Sequence, residues 1–475
     1  MAQIEIFLDS TESRFYPVPG VHAARKLIQS TGKQAVVHDV FLSMPEELLE
    51  GYFSRLARQG ERPEQVAIYC VMTFPPVDER ERFERINQRL TLIRKWVPES
   101  TRVVVAGYFA PPADYLAQLT AADAIGKNGY DSLIAMCAGR EHAGYTSLRK
   151  PTNFVTANGY AWQAAHLMID EPTCLFACGN CPVRSDCQYK NMGEAWARVA
   201  PQVVSGFEAD LAEVITAGVK NLCLVESART ISADKHRDVL SAIQRHPGAE
   251  YHLTYTLLNV LARSPDWASY LAEANFRCCN FSVYALEPVG ISAMELVPAD
   301  PLELAWRARK AMGPQAYLSA SVLVGMPGDT LASIERRIAE YREVFDSVDP
   351  MVLGYMEGMP FLTEHRYRRI RLARGDSDIY SGWENDVLSS AELGDWLAEW
   401  TAKERLTNPA YAAYRSPTAA LFAAEEGYAS VQIKADIAWA NELPDGVSRL
   451  MDKVARRDAA RLQRYLAHYR EAAPA

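Results

Sequence analysis

The residues with most chemistry to offer stand together in Thr173-Cys174-Leu175-Phe176-Ala177-Cys178-Gly179-Asn180-Cys181-Pro182, where three cysteines fall at the spacing C-x3-C-x2-C. Three thiolates in one loop can ligate three irons of a [4Fe-4S] cluster and leave the fourth iron open to a small bidentate ligand. Cys187 follows after five more residues, so the stretch also has the C-x3-C-x2-C-x5-C form, a set able to bind zinc tetrahedrally. Buried, unligated thiols are the third reading. The chain has nine cysteines, an odd number that cannot pair completely within the chain, and in a reducing compartment thiols or ligands are expected.

Other groups recur at the ends of apolar runs. Glu226 and Ser227 close Asn221-Leu222-Cys223-Leu224-Val225, and Glu287 follows Ala285-Leu286. Gly325-Met326-Pro327-Gly328-Asp329-Thr330 has the composition of a tight turn whose Asp329 or Thr330 caps the next helix. Cys278-Cys279 lies within a predicted strand, where neighbouring side chains point to opposite faces and pack as thiols more readily than they share a metal. The basic run His365 to Arg371 suits an acidic or phosphorylated substrate or, more simply, a solvated helix face. Trp396 and Trp400, four apart, suit helix packing at least as well as substrate stacking.

Two alternating series of strands and helices must position these groups. The first predicts strands over 3–8, 34–41, 65–74, 102–108 and 122–125, with helices over 21–31, 45–58, 81–96 and 113–120. That order is expected of a parallel, doubly wound sheet, with its ligand outside the carboxyl ends of the strands. A turn-rich stretch, 144–170, reads as a linker. The second series places strands over 221–226, 251–256, 277–285, 316–325 and 351–356, with helices between them, as in an α/β barrel. Residues 362–475 are expected to be largely helical.

At 475 residues, 49% hydrophobic and 23% charged, the chain is globular in composition, which excludes a mostly disordered, collagen-like or coiled-coil protein. Its 59 acidic and 50 basic residues give a net charge of −9, a field that favours neither nucleic acid nor an anionic membrane as partner. No run of 18 apolar residues occurs and Glu5 stands early, so a cytoplasmic location is expected.

In its order of motifs the chain resembles the radical S-adenosylmethionine (SAM) enzymes, whose cluster loop carries C-x3-C-x2-C at the mouth of an α/β barrel. Glu226-Ser227 stands where that family's second strand ends in an acidic motif, and Glu287 where the fourth does. Gly325-Met326-Pro327-Gly328-Asp329-Thr330 is similar to its Gly-Leu-Pro-Gly-Glu-Thr turn, and Tyr355-Met356-Glu357-Gly358-Met359-Pro360 to its sixth-strand ending. The first series is similar to the cobalamin-binding members, through Tyr16-Pro17-Val18-Pro19-Gly20-Val21, Val36-Val37-His38-Asp39, Val105-Ala106-Gly107-Tyr108 and the altered motif Gly126-Lys127-Asn128-Gly129-Tyr130.

The resemblance implies a cobalamin-binding-like Rossmann domain (1–143), a linker (144–170), a radical SAM barrel (171–361) and a helical C-terminal domain (362–475). It implies a [4Fe-4S] cluster on Cys174, Cys178 and Cys181, and SAM held by Asn180, Glu226, Ser227, Glu287 and Gly325. Cobalamin would be held by Pro19, Gly20, Asp39, Thr73, Gly107, Tyr108 and Gly126. The implied activity is methyl transfer by way of cobalt to an unactivated carbon or phosphorus centre of a small molecule, with a flavodoxin- or ferredoxin-type electron donor. The Asp-x-His-x-x-Gly motif is absent, so neither His22 nor His38 is expected to ligate cobalt. Asn180 replaces the usual aromatic residue before the third cysteine. Two other readings stay open: a radical SAM enzyme with a vestigial first domain that cyclises, oxidises or rearranges its substrate, and a non-enzymatic zinc protein.

Overall fold

The computed structural model describes residues 3–9, 19–70, 79–107, 116–126, 129–139, 164–168, 207–225, 240–294, 296–353, 371–373, 382–384, 387–415, 420, 423 and 427–471. The chain divides into two compact units, one of residues 1–162 with 459–475, the other of residues 163–458.

The first unit is built on β1 (Gln3–Asp9), β2 (Gln34–His38), β3 (Gln65–Cys70), β4 (Arg102–Gly107) and β5 (Ala124–Gly126). All neighbours run parallel, in the order β2-β1-β3-β4-β5. Such a sheet is covered on both faces, so its strands are continuously apolar rather than alternating: β3 is buried throughout, and β4 is buried from Val103 to Gly107. The helices Pro19–Gln29 and Gly129–Ala138 pack together, as do Glu46–Arg58 and Glu79–Arg94. In Glu46–Arg58 the buried residues Leu49, Phe53 and Leu56 recur at the spacing of one helical face. A Cβ at Gly126 would lie 2.4 Å from that of Ser132, so only glycine lets β5 meet the helix that follows it.

The second unit carries a six-stranded parallel sheet with strands in chain order: β6 (Ala164–Met168), β7 (Asn221–Val225), β8 (Glu250–Leu257), β9 (Phe276–Val283), β10 (Tyr317–Val324) and β11 (Ser347–Val352). Each strand returns to the same side of its predecessor, the winding of an α/β barrel wall. Helices Pro301–Met312 and Leu331–Arg342 follow β9 and β10. Asp300 caps the first, and a capping box of Thr330 and Ser333 starts the second.

Three sequence expectations are corrected. The stretch 144–170 is not simply a linker, because β6 lies within it; Ala-Ala-His-Leu-Met has little β-branched content and signals a strand weakly. β11 begins at Ser347 and includes Pro350, which an edge strand tolerates because a proline there removes no essential ladder bond. The region 362–475 is shared between the two units. Tyr414, Ile433, Leu450 and Val454 from its helices form a buried cluster with the strand residues Cys278 and Tyr317, and the Tyr317 hydroxyl donates to the Tyr414 carbonyl at 2.7 Å.

The helix Gly446–Glu471 ends in the first unit, where Tyr465, Leu466 and Tyr469 are buried. Among the described residues no helix is long and apolar enough to cross a membrane.

Removing residues 459–475 deletes these three core side chains. At about 2–5 kcal/mol for each large apolar side chain, the loss is comparable to the whole margin of an ordinary domain. Amide exchange in β1–β4 is expected to become fast in the truncated protein, while β9 and β10 stay protected. Unchanged protection of β1–β4 would show that the segment is dispensable.

Candidate functional site

In a sheet of order 2-1-3-4-5 the direction of winding reverses between β1 and β3, and a ligand crevice opens outside their carboxyl ends. Asp9 ends β1 and stands in register with Cys70, the end of β3, which is in register with Gly107, the end of β4. Asp9 is wholly buried. Its Oδ2 accepts from Arg82 Nε at 2.7 Å, and its backbone carbonyl accepts from Arg82 Nη2 at 3.4 Å. Its Oδ1 is buried without a hydrogen-bond partner among the described residues.

Beside this crevice runs a buried polar chain. Asp39 Oδ1 bonds His22 Nε2 at 2.7 Å, and the Asp39 N–H donates to the Tyr465 hydroxyl at 3.1 Å. Tyr465 and Tyr469 are joined through their hydroxyls, and Tyr469 meets His38 Nδ1 at 2.9 Å. His38 Nε2 bonds Glu5 Oε2 at 2.7 Å, and Tyr52 donates to the same oxygen. Burial disfavours charge on Glu5, but His38, Tyr52 and Gln3 hold its carboxyl below the usual range. His38 therefore donates from Nε2 to that carboxylate. His22 and His38 thus each meet a carboxylate through Nε2.

Of the residues expected around cobalamin, Gly107 and Gly126 end strands, and Pro19 and Gly20 form the first turn of a helix. Asp39 is turned into the unit, toward His22. Thr73 and Tyr108 lie outside the described residues.

In the second unit β6 ends at Met168, six positions before Cys174, and β7 ends at Val225, immediately before Glu226. The cysteine loop and Glu226-Ser227 thus follow the carboxyl ends of the first and second strands. Cys174, Cys178, Asn180, Cys181, Cys187, Glu226 and Ser227 themselves lie outside the described residues, as do 354–370.

Glu287 follows β9 as N-cap residue of the helix Pro288–Ala293. Its carboxylate lies 3.1 Å from Arg336 and 3.7 Å from Arg337. After β10, Gly325 turns at φ +94°, a conformation that favours glycine. A Cβ there would come within 2.6 Å of the Trp383 ring, whose Nε1 donates to the Leu353 carbonyl at 2.8 Å. Asp329 Oδ2 accepts from the Gly325 and Met326 N–H groups, each at 2.9 Å. Its Oδ1 is buried without a hydrogen-bond partner among the described residues. Burial raises the Asp329 carboxyl to about 7, against the lowering effect of those two N–H groups.

Among the described residues Cys70, Cys137, Cys223, Cys278 and Cys279 are buried and form no disulfide. Burial pushes the Cys137 thiol up to about 12 and those of Cys223 and Cys278 well above the ordinary value. Such thiols are poor sources of thiolate, and no group among the described residues could hold a metal ion. Trp396 and Trp400 stack on each other at 6.1 Å, and Trp400 also meets Tyr411 edge-on, the packing role. Sequence reading singled out neither Asp9 nor Arg82. The available signal was a carboxylate closing the first apolar run.

No family model and no curated protein matches the chain. Solved structures do match. The chain is similar to the radical S-adenosylmethionine methyltransferase TsrM from Kitasatospora setae with cobalamin and [4Fe-4S] cluster bound, at 13% identity and a TM-score of 0.56, over 79% of this chain and 82% of that one. The same protein with tryptophan substrate and the SAM analogue aza-SAM matches at 14% identity and a TM-score of 0.55, over 79% of each chain. At these identities the likeness is one of fold: the α/β architecture with parallel sheets and a helical C-terminal region is common to both.

Because the folded Asp329 carboxyl is raised, the folded state holds a proton that the unfolded chain gives up, and this contribution to stability is lost as pH rises from about 4 to about 7. Asp329→Asn keeps an acceptor for both N–H groups and removes the titration. The stability difference in favour of the variant is expected to grow by about 1.4 kcal/mol per pH unit across that window. Urea unfolding at pH 5 and pH 8 measures it, and an equal difference at both would overturn the assignment.

Proposed function

We propose that the protein is a cobalamin-dependent radical SAM methyltransferase acting on an unactivated carbon or phosphorus centre of a small molecule. The observation that carries the reading is the position of the cysteine triplet. It follows the first strand of a six-stranded parallel sheet in a chain that also carries a sheet of order 2-1-3-4-5, and both features lie within a fold shared with a methyltransferase solved with cobalamin and a [4Fe-4S] cluster.

The residues present fit these groups. The buried thiols elsewhere leave Cys174, Cys178 and Cys181 as the natural thiolate donors, with Cys187 beyond the triplet. At the first crevice, a buried carboxylate oxygen in want of a donor stands at the switch point, and the histidines nearby are already engaged. When bound, the cluster and the cobalamin would supply electron delivery to SAM and carriage of the methyl group.

The chain's own part is placement. Glu226, after β7, would receive the SAM ammonium by a charge-assisted bond. Asp329 fixes the Gly325-Met326 turn over which that ligand would lie. The protein would draw electrons from a flavodoxin- or ferredoxin-type donor.

Anaerobically purified protein is expected to be brown, with about four irons and four sulfides per chain, and to lose them in the Cys174→Ala, Cys178→Ala, Cys181→Ala triple variant. Cys187→Ala should retain them. Label from methyl-labelled SAM should pass to the bound corrinoid before any product. Stoichiometric zinc without sulfide would overturn the reading; deoxyadenosine formation by protein unable to bind hydroxocobalamin would overturn the cobalamin part alone.

Glu226→Gln should keep the iron and bind SAM at least about tenfold more weakly, the effect of losing a charged hydrogen bond worth about 1.5–3 kcal/mol. Calorimetry checks this, and unchanged affinity would assign Glu226 to structure.

A further inference from the structure

Asp9 is the last residue of β1, at the reversal point of the first sheet, and it is wholly buried. One carboxylate oxygen is held by Arg82 at 2.7 Å and the other has no partner among the described residues. An ion pair of this kind normally satisfies both oxygens, because a buried charged acceptor left open costs more than the hydrogen bond it lacks. The missing partner must be a donor. Asp9 pairs with Cys70 at the end of β3, and no donor among the described residues reaches Oδ1.

We infer that Asp9 Oδ1 recognises a primary amide N–H on the rim of the corrin ring. This rests on the cobalamin reading above and goes beyond it by assigning a specificity-determining residue. A corrin periphery carries neutral primary amides, each a two-proton donor. An acceptor held rigid by Arg82 on the far oxygen is suited to such a donor and hostile to a carboxylate in the same place. Arg82 acts as the positioning residue: its Nε and Nη2 grip the side chain and main chain of Asp9 together.

The test is a binding series read by absorbance, with hydroxocobalamin and its monocarboxylic acids, each having one peripheral amide converted to a carboxylate, titrated into the full chain. The parent protein is expected to bind one monoacid at least about thirtyfold more weakly than hydroxocobalamin, since two carboxylates would meet in a buried site. In Asp9→Asn that penalty should shrink to about threefold, with the ranking of the other monoacids unchanged. Arg82→Lys, which keeps a cation but loses the grip on the main chain, should reduce the discrimination without abolishing it. Equal weakening of every ligand by Asp9→Asn, or no monoacid singled out by the parent, would overturn the assignment and leave Asp9 a structural residue satisfied by buried water. If the parent does not bind hydroxocobalamin at all, the cobalamin reading falls and the assignment with it, a result distinct from loss of selectivity alone.

Discussion

Two parallel strands cannot be joined by a hairpin, and everything about this molecule's chemistry depends on that restriction. The chain must leave each strand at its carboxyl end, cross a face of the sheet and start again at the opposite edge. Every loop that follows a strand therefore opens on one rim. Residues as distant in sequence as Asp9, Cys70 and Gly107 arrive side by side in the first sheet. In the second sheet Met168 and Val225, the ends of β6 and β7, do the same. The cost falls on the strands, which must be apolar on both faces, and β3 and β4 meet it with valine, isoleucine and alanine.

The exceptions to that apolar rule are informative. Glu5, His22, His38 and Asp39 are buried in the first unit, and each meets a named partner, so the cost of burying them is offset by short hydrogen bonds. Asp9 and Asp329 differ. Each has one oxygen fixed and the other without a hydrogen-bond partner among the described residues, and each stands at or just beyond the end of a strand on a rim.

Much of this was legible in the sequence, for a reason specific to parallel sheets. A strand buried on both faces gives a near-continuous apolar run, so β3 and β4 announced themselves, and the residues just after them could be singled out as site candidates. Strands without that composition were harder. Ala164–Met168 has one histidine and two alanines among five residues and passed for linker. Pro350 argued against the middle of β11 until the sheet order made it an edge. Asp39 had the right position for a ligand contact, but sequence could not reveal that its carboxylate is committed to His22. Least legible of all was the partition of the C-terminal helix, because no local pattern tells which core Tyr465 will enter.

That partition governs the order in which the protein can be made. The bond between Asp39 and Tyr465 spans 426 residues and the one between His38 and Tyr469 spans 431. The first sheet emerges early in translation, yet its polar chain can close only after the last turns of the final helix leave the ribosome. At about 5–20 residues per second, that is a delay of tens of seconds to more than a minute. The second unit, whose segments are contiguous from residue 163 to 458, can complete itself first. The N-terminal sheet then matures after the second unit, and a chain broken off before Tyr465 lacks the hydroxyl partners of Asp39 and His38.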